Sequence, residues 1–142
     1  MKKTPPTRKH KGIYGYIGDD GKVLLVRKKR GPYKGRYDLP GGKQEPPETE
    51  IETLWREISE ETGCTLTHYE FIKESVVLFA DFVEDDGRPG LLKHTGSIYR
   101  CKVSGSPRHD ISDQDSDGAL WVDKAQLNKK NSTPFVIMCT EP

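Results

Sequence analysis

Several familiar features are scarce or missing in this 142-residue chain, and each absence narrows its setting. It holds three cysteines, Cys64, Cys101 and Cys139, an odd number without paired spacing. That set favours neither a disulfide framework nor a zinc site, and it fits a reducing interior. No run approaches the roughly 18 apolar residues of a membrane span. The basic start MKKTPPTRKHK is not followed by the apolar stretch of a secretory signal, so the cytoplasm is the expected compartment and no membrane partner is expected. Neither sign of charge is in excess, since 23 Lys and Arg against 22 Asp and Glu leave +1. That balance argues against a general nucleic-acid-coating protein. Apolar residues are also few, at 32%, no more than the charged share. Without pattern such a composition would suggest disorder, but here the apolar residues are clustered and periodic.

The length suits one domain with one core, with 1–10 read as a flexible basic tail and 11–142 as a single domain. GIYGYI and KVLLVRK flank an Asp-Asp-Gly turn and predict a β-hairpin. KKRGPYKGR is a basic loop, and Pro40 biases Leu39 toward an extended YDLP. Pro46 and Pro47 suit a helix entry, and Ile51, Leu54, Trp55 and Ile58 then form an apolar stripe on a helix reaching Thr62. YEFIKESVVLFADFV and LLKHTGSIYRCKV predict a second, longer hairpin, followed by a polar, acidic loop over 104–118. ALWV reads as a short strand, Asp123 as the cap of a brief helix to about Lys130, and STPFVIMC as a last helical turn or an extended segment. Strands on both sides of one long helix predict an α+β fold, a mixed sheet with helices packed on it.

One stretch of that helix runs against helix electrostatics. In REISEETG, Glu57, Glu60 and Glu61 are three and four residues apart and sit just ahead of Gly63, at the negative end of the dipole. Each like-charge pair costs roughly 0.2–0.5 kcal/mol. Few cations lie at the three- or four-residue spacings that would offset them, and Arg56, adjacent to Glu57, is expected not to face it. Cleavage of phosphate anhydrides gives such a cluster a purpose, because divalent cations neutralise phosphate oxygens and generate hydroxide near neutral pH. Those cations prefer carboxylates supplemented by backbone carbonyls, and Gly41 and Gly42 leave room for a close carbonyl. Arg56 is a candidate to orient a neighbouring carboxylate through a bidentate fork.

Taken with Gly42 and Glu48, the segment ending at Gly63-Cys64 resembles the Nudix box, G-x5-E-x7-R-E-U-x-E-E-x-G-U with U a bulky apolar residue. All fixed positions match, Ile58 fills the first apolar position, and Cys64 stands where an aliphatic residue is usual. Pro47 replaces the glycine commonly found before the first glutamate. The resemblance implies an α/β/α sandwich with a mixed central sheet. It implies a hydrolase using Mg²⁺ or Mn²⁺ to cleave the diphosphate of a nucleoside diphosphate linked to another moiety. It also implies metal ligation by Glu57, Glu60, Glu61 and Gly41, catalytic roles for Glu57, Glu60 and Arg56, and a supporting role for Glu48 at the helix entry. The proton acceptor is either a box glutamate or an acid within 110–117, where Asp113, Asp115 and Asp117 resemble the opening of an EF-hand loop but lack its closing glutamate.

Among the cations upstream of the box, Arg27 and Arg36 are the candidates for substrate phosphate. Tyr14, Tyr16, Tyr37 and Phe79 are weighed for base stacking against ordinary packing within strands. His10, His68, His94 and His109 form no ligand set and are read as surface residues. Two other functions stay open: hydrolysis at the 5′ end of RNA, with steep salt dependence, and nucleotide sensing without cleavage. Homodimerisation is open as well.

Overall fold

A computed structural model describes residues 8–30, 33–83, 87–110 and 116–140, with the side chains of 79–83 left undescribed. Residues 1–7, the side chain of Phe79, and Asp113 and Asp115 therefore lie outside the described residues. In chain order the elements are β1 (Arg8–Tyr16), β2 (Gly18–Asp19), β3 (Lys22–Lys28), β4 (Tyr37–Asp38), β5 (Gly41–Lys43), α1 (Glu50–Thr62), β6 (Thr65–Val83), β7 (Pro89–Ser104), β8 (Ser116–Asp123) and α2 (Pro134–Thr140). Arg8–His10, assigned to the tail on sequence, pair with Leu92–His94 of β7.

Each of the four consecutive residues Val23–Val26 of β3 is buried, because helices cover both faces of the strands. Alternation along the strand sends Leu24 and Val26 to the cluster holding Leu54 and Ile58 of α1. Val23 and Leu25 join Phe135 and Val136 of α2. Strand β1 and the residue after it divide in the same way, with Ile13 and Ile17 toward α1 and Tyr14 and Tyr16 toward α2. The two helices thus lie on opposite faces, giving the expected α/β/α sandwich. Tyr14 and Tyr16 are core residues.

The strands divide between two sheets. One is mixed, in the order β5-β1-β7-β6, with β1 parallel to β7. In the other, β3 pairs antiparallel with β2, β4 and β8. The predicted first hairpin is correspondingly reduced to β2 and β3. Strand β1 is bordered by β5 and β7, so neither edge is open to β3, and the chain crosses to the second sheet at Ile17. The second hairpin forms as expected from β6 and β7. Asp123 precedes a short 3-10 turn, Lys124–Gln126, without a side-chain cap, and the tail resolves as the helix α2. No helix among the described residues is long and apolar enough to cross a membrane.

Two burial assignments are corrected. Trp55 is 52% exposed, because one helical residue after Leu54 turns it about 100° away from the core stripe. His94 is buried at 4% exposure instead of lying at the surface. Its Nε2 is 2.8 Å from the Tyr14 hydroxyl, and its Nδ1 is 3.4 Å from that of Tyr33. Burial, with smaller contributions from His10 and Lys28, pushes its pKa down from 6.5 to about 3.

Between those values the unfolded chain binds a proton that the folded chain refuses, so stability falls as pH drops below 6.5. The expected loss is about 1.4 kcal/mol per pH unit. Urea midpoints between about pH 7 and 5 should show this slope in the wild type and a flatter one in His94→Gln. Equal slopes in the two proteins would reject His94 as its source.

Candidate active site

Helix α1 is set by its entry. Thr49 accepts from the Glu52 amide, Glu52 accepts from that of Thr49, and the pair forms a capping box. Gly63, at φ 77°, closes the helix in the left-handed conformation, its N–H donating to the Ser59 carbonyl at 3.0 Å. The last turn contains no basic residue. At Thr62 the neighbouring chain joins the end, where the Arg108 amide donates to the Thr62 carbonyl at 2.9 Å.

The three glutamates differ sharply in burial. Glu61 follows Leu54 and Ile58 at i+7 and i+3, on the core stripe itself, and is 3% exposed. Its Oε1 accepts from the Gly41 amide at 2.7 Å. Glu57 flanks that stripe with its side chain 14% exposed, against 53% for Glu60. A Cβ on Gly42 would fall 2.7 Å from Glu57 Oε1, so the missing side chain is what lets this carboxylate approach the β5 backbone. The adjoining glycines thus receive two glutamates from α1, Gly41 against Glu61 and Gly42 against Glu57.

Arg56 binds the cluster together. Its Nε and Nη2 donate to Glu48 at 2.7 and 3.0 Å, the bidentate fork expected of arginine, directed here to the helix entry. Nη1 donates to Glu57 at 2.9 Å and to Glu60 at 3.3 Å, and Nη2 also reaches the Lys43 carbonyl at 3.2 Å. The adjacent Arg56–Glu57 pair, expected not to meet, does so because the long side chain lies along the helix flank. The chain therefore supplies part of the counter-charge itself. The Arg56 hydrogen bonds hold Glu48 down to about 2, and Glu48 in turn raises the arginine above its ordinary value.

The donor set fits a hard divalent cation in kind, since it combines carboxylates with backbone beside two glycines. Among the described residues, no three His, Cys, Asp or Glu side chains form a ready metal-holding group. Arg56 contacts Glu57 and Glu60, while the Gly41 amide donates to Glu61.

The remaining sequence candidates lie elsewhere. Arg27 stacks on Tyr37, 5.3 Å from the ring centroid, and donates to its hydroxyl at 3.2 Å. It also lines a cavity of about 170 Å³ with His109 and Asp117. Arg36 lines a different cavity, beside α2. Among the described residues, no hydrogen bond or ion pair joins either arginine to the box glutamates. Within 110–117, Asp110 is paired with Arg108 at 3.1 Å and held below the ordinary carboxylate range by it.

Sequence reasoning missed the Lys43 carbonyl, which strand pairing alone brings to Arg56. It also missed buried Asp38, whose carboxylate accepts from Thr133 Oγ1 and the Leu39 amide. Burial raises the Asp38 pKa. In YDLP this acid resembles any turn residue, and nothing nearby signals its burial.

A NUDIX domain family model matches residues 7–137. The crystal structure of a MutT NUDIX hydrolase from Burkholderia pseudomallei is similar, with TM-score 0.74 at 25% identity over 94% of this chain and 96% of that one. An ADP-ribose pyrophosphatase of Methanocaldococcus jannaschii is 51% identical over 51 residues, covering 36% of this chain and 30% of that protein. A human 8-oxo-dGDP phosphatase is 38% identical over 48 residues, covering 34% of this chain and 15% of that protein. The chain thus spans less than a third of the length of these two curated relatives. A complete box running from β5 through α1, a sandwich of the same architecture and a match over nearly the whole sequence lead to one assignment: the chain belongs to the NUDIX domain family.

Proposed function

We propose that the protein is a pyrophosphohydrolase that cleaves the diphosphate of a nucleoside diphosphate linked to another moiety. Glu57, Glu60, Glu61 and the Gly41 carbonyl would hold Mg²⁺ or Mn²⁺. The observation that carries this reading is the convergence of Glu57 and Glu61 on Gly42 and Gly41, with Arg56 fixing Glu57 from the other side. A cation bound there would neutralise phosphate oxygens and make an attacking water more acidic.

The residues of the chain divide the remaining work. Arg56, itself anchored by Glu48, orients Glu57, and a box glutamate or an acid within 110–117 takes the proton from water. Glu61 locks the helix end to β5 through the Gly41 amide. Arg27, stacked on Tyr37, is the candidate to meet substrate phosphate, with Asp117 and His109 beside it. The names of the relatives favour ADP-ribose-like compounds and oxidised nucleoside diphosphates as the first substrates to test.

Incubation of such diphosphates with Mg²⁺ should release phosphate or a nucleoside monophosphate. No release from any of them would overturn the reading in favour of a non-cleaving nucleotide sensor. The cation has a readout of its own. Mg²⁺ at about 100 times its Kd should stabilise the fold by about 2.7 kcal/mol, a rise in Tm of several degrees. Glu57→Gln and Glu60→Gln should weaken that rise, and an undiminished rise in both would count against these ligands.

A further inference from the structure

The cavity of about 340 Å³ beside α2 is not used by the proposed chemistry. It is lined by Arg36, Lys129, Ser132, Pro134, Ile137 and Met138. Its size falls within the roughly 300–1,000 Å³ of small-molecule pockets. Because α1 and α2 pack on opposite faces of the strands, this cavity belongs to the face away from the helix that carries the glutamates.

Its lining is chemically two-sided. Pro134, Ile137 and Met138 provide an apolar wall from one side of α2, and Met138 is 37% exposed there. Such a methionine is soft enough to adapt to a flat ring. Arg36 and Lys129 are the charged members of the lining, and no carboxylate accompanies them. Among the described residues neither side chain has a carboxylate partner, although Arg36 is partly buried. An arginine withdrawn from water beside an apolar wall, without an acid, leaves its fork available to an outside anion. The Ser132 hydroxyl donates to Asn131 at 2.7 Å and keeps acceptor capacity toward the cavity.

We propose that this cavity is a second, non-catalytic site for a nucleoside monophosphate. The phosphate is met by Arg36 and Lys129, and the base lies against Pro134, Ile137 and Met138. The two cations suit a dianionic phosphate monoester better than a single carboxylate, and the apolar wall suits a ring better than a bare ion. The choice of a nucleoside monophosphate rests on the proposed hydrolase reading, in which it is a product. Arg36 thereby leaves the list of residues meeting the scissile diphosphate.

Met138 offers a direct probe, since the chain contains two methionines and the other is Met1. Protein labelled at the methionine methyl carbons is titrated without divalent cations, using adenosine monophosphate, adenosine and inorganic phosphate in turn. The monophosphate should shift the Met138 methyl signal saturably. Adenosine should bind at least about tenfold more weakly, and phosphate alone should leave the methyl signal in place. The double variant Arg36→Gln, Lys129→Gln should raise the monophosphate Kd by about tenfold or more, with its Tm reported alongside. Absence of a shift up to about 10 mM monophosphate overturns the proposal, as does equal affinity for adenosine or an unchanged Kd in the double variant. The substrate panel separates the two readings. Hydrolysis without monophosphate binding removes this site alone, and binding without hydrolysis removes the hydrolase reading alone.

Discussion

Glu57→Gln should lower kcat/KM on any diphosphate the protein turns over by about 100- to 10,000-fold while leaving Tm nearly unchanged. Glutamine has the shape of glutamate and keeps an oxygen for Arg56 Nη1, so the 2.9 Å contact need not be lost. Arg56 also retains its two hydrogen bonds to Glu48, which fix the guanidinium independently. The substitution removes the negative charge and basicity of the carboxylate packed against Gly42, and both are needed to hold a cation or take a proton. Glu60→Gln, at the exposed rim, should also reduce turnover but by less. A Glu57→Gln enzyme within about tenfold of wild type at saturating Mg²⁺ would reject the assigned role.

Gly41→Ala should be the most damaging substitution of stability near the site. Gly41 has φ of 153°, outside the range comfortable for other residues, and a Cβ there would run into the Ile13 carbonyl oxygen and the Tyr14 Cα. Both obstacles are backbone of β1, the strand paired with β5, so neither can rotate away. Relief requires β5 to move, which breaks the Gly41 amide bond to buried Glu61 and leaves a carboxylate without that donor. Strain and overpacking together should cost more than about 3 kcal/mol out of a typical 5–15. Gly21→Ala is the control. Its φ is also positive, at 77°, but nothing lies within 4 Å, so its cost should be about 1–2 kcal/mol. Urea unfolding of the two variants decides the matter, and equal midpoints would reject the steric argument.

Much of this was legible in the linear chain because the relevant physics is local. The end of the helix at Gly63, its core residues Leu54 and Ile58, the long second hairpin and the box from Gly42 to Cys64 all follow from spacing and turn chemistry, whereas the helix starts at Glu50 under a Thr49 cap and the expected Pro46–Pro47 entry lies in the turn before it. Periodicity was a poorer guide at its margins. Trp55 fits an apolar stripe as text, yet a 100° turn places it in water. Glu61 looks like one of three surface acids, yet it lies on the buried side, where the Gly41 amide compensates its burial.

The family box and the helix that carries most of it were thus readable from order and spacing, which depend on neighbours a few positions away. The grouping of the residues was not, because it depends on strands meeting across long separations. Pairing of β5 with β1 puts Gly41 and Gly42 under Glu61 and Glu57, and the Lys43 carbonyl near Arg56. Parallel pairing of β1 with β7 buries His94 beside Tyr14, 80 residues away. The packing of α2 against the strands brings Arg36 into one cavity with Pro134, Ile137 and Met138, about 100 residues away in sequence. Sequence patterns report what one element needs from its own face, whereas a site is formed by which faces finally meet.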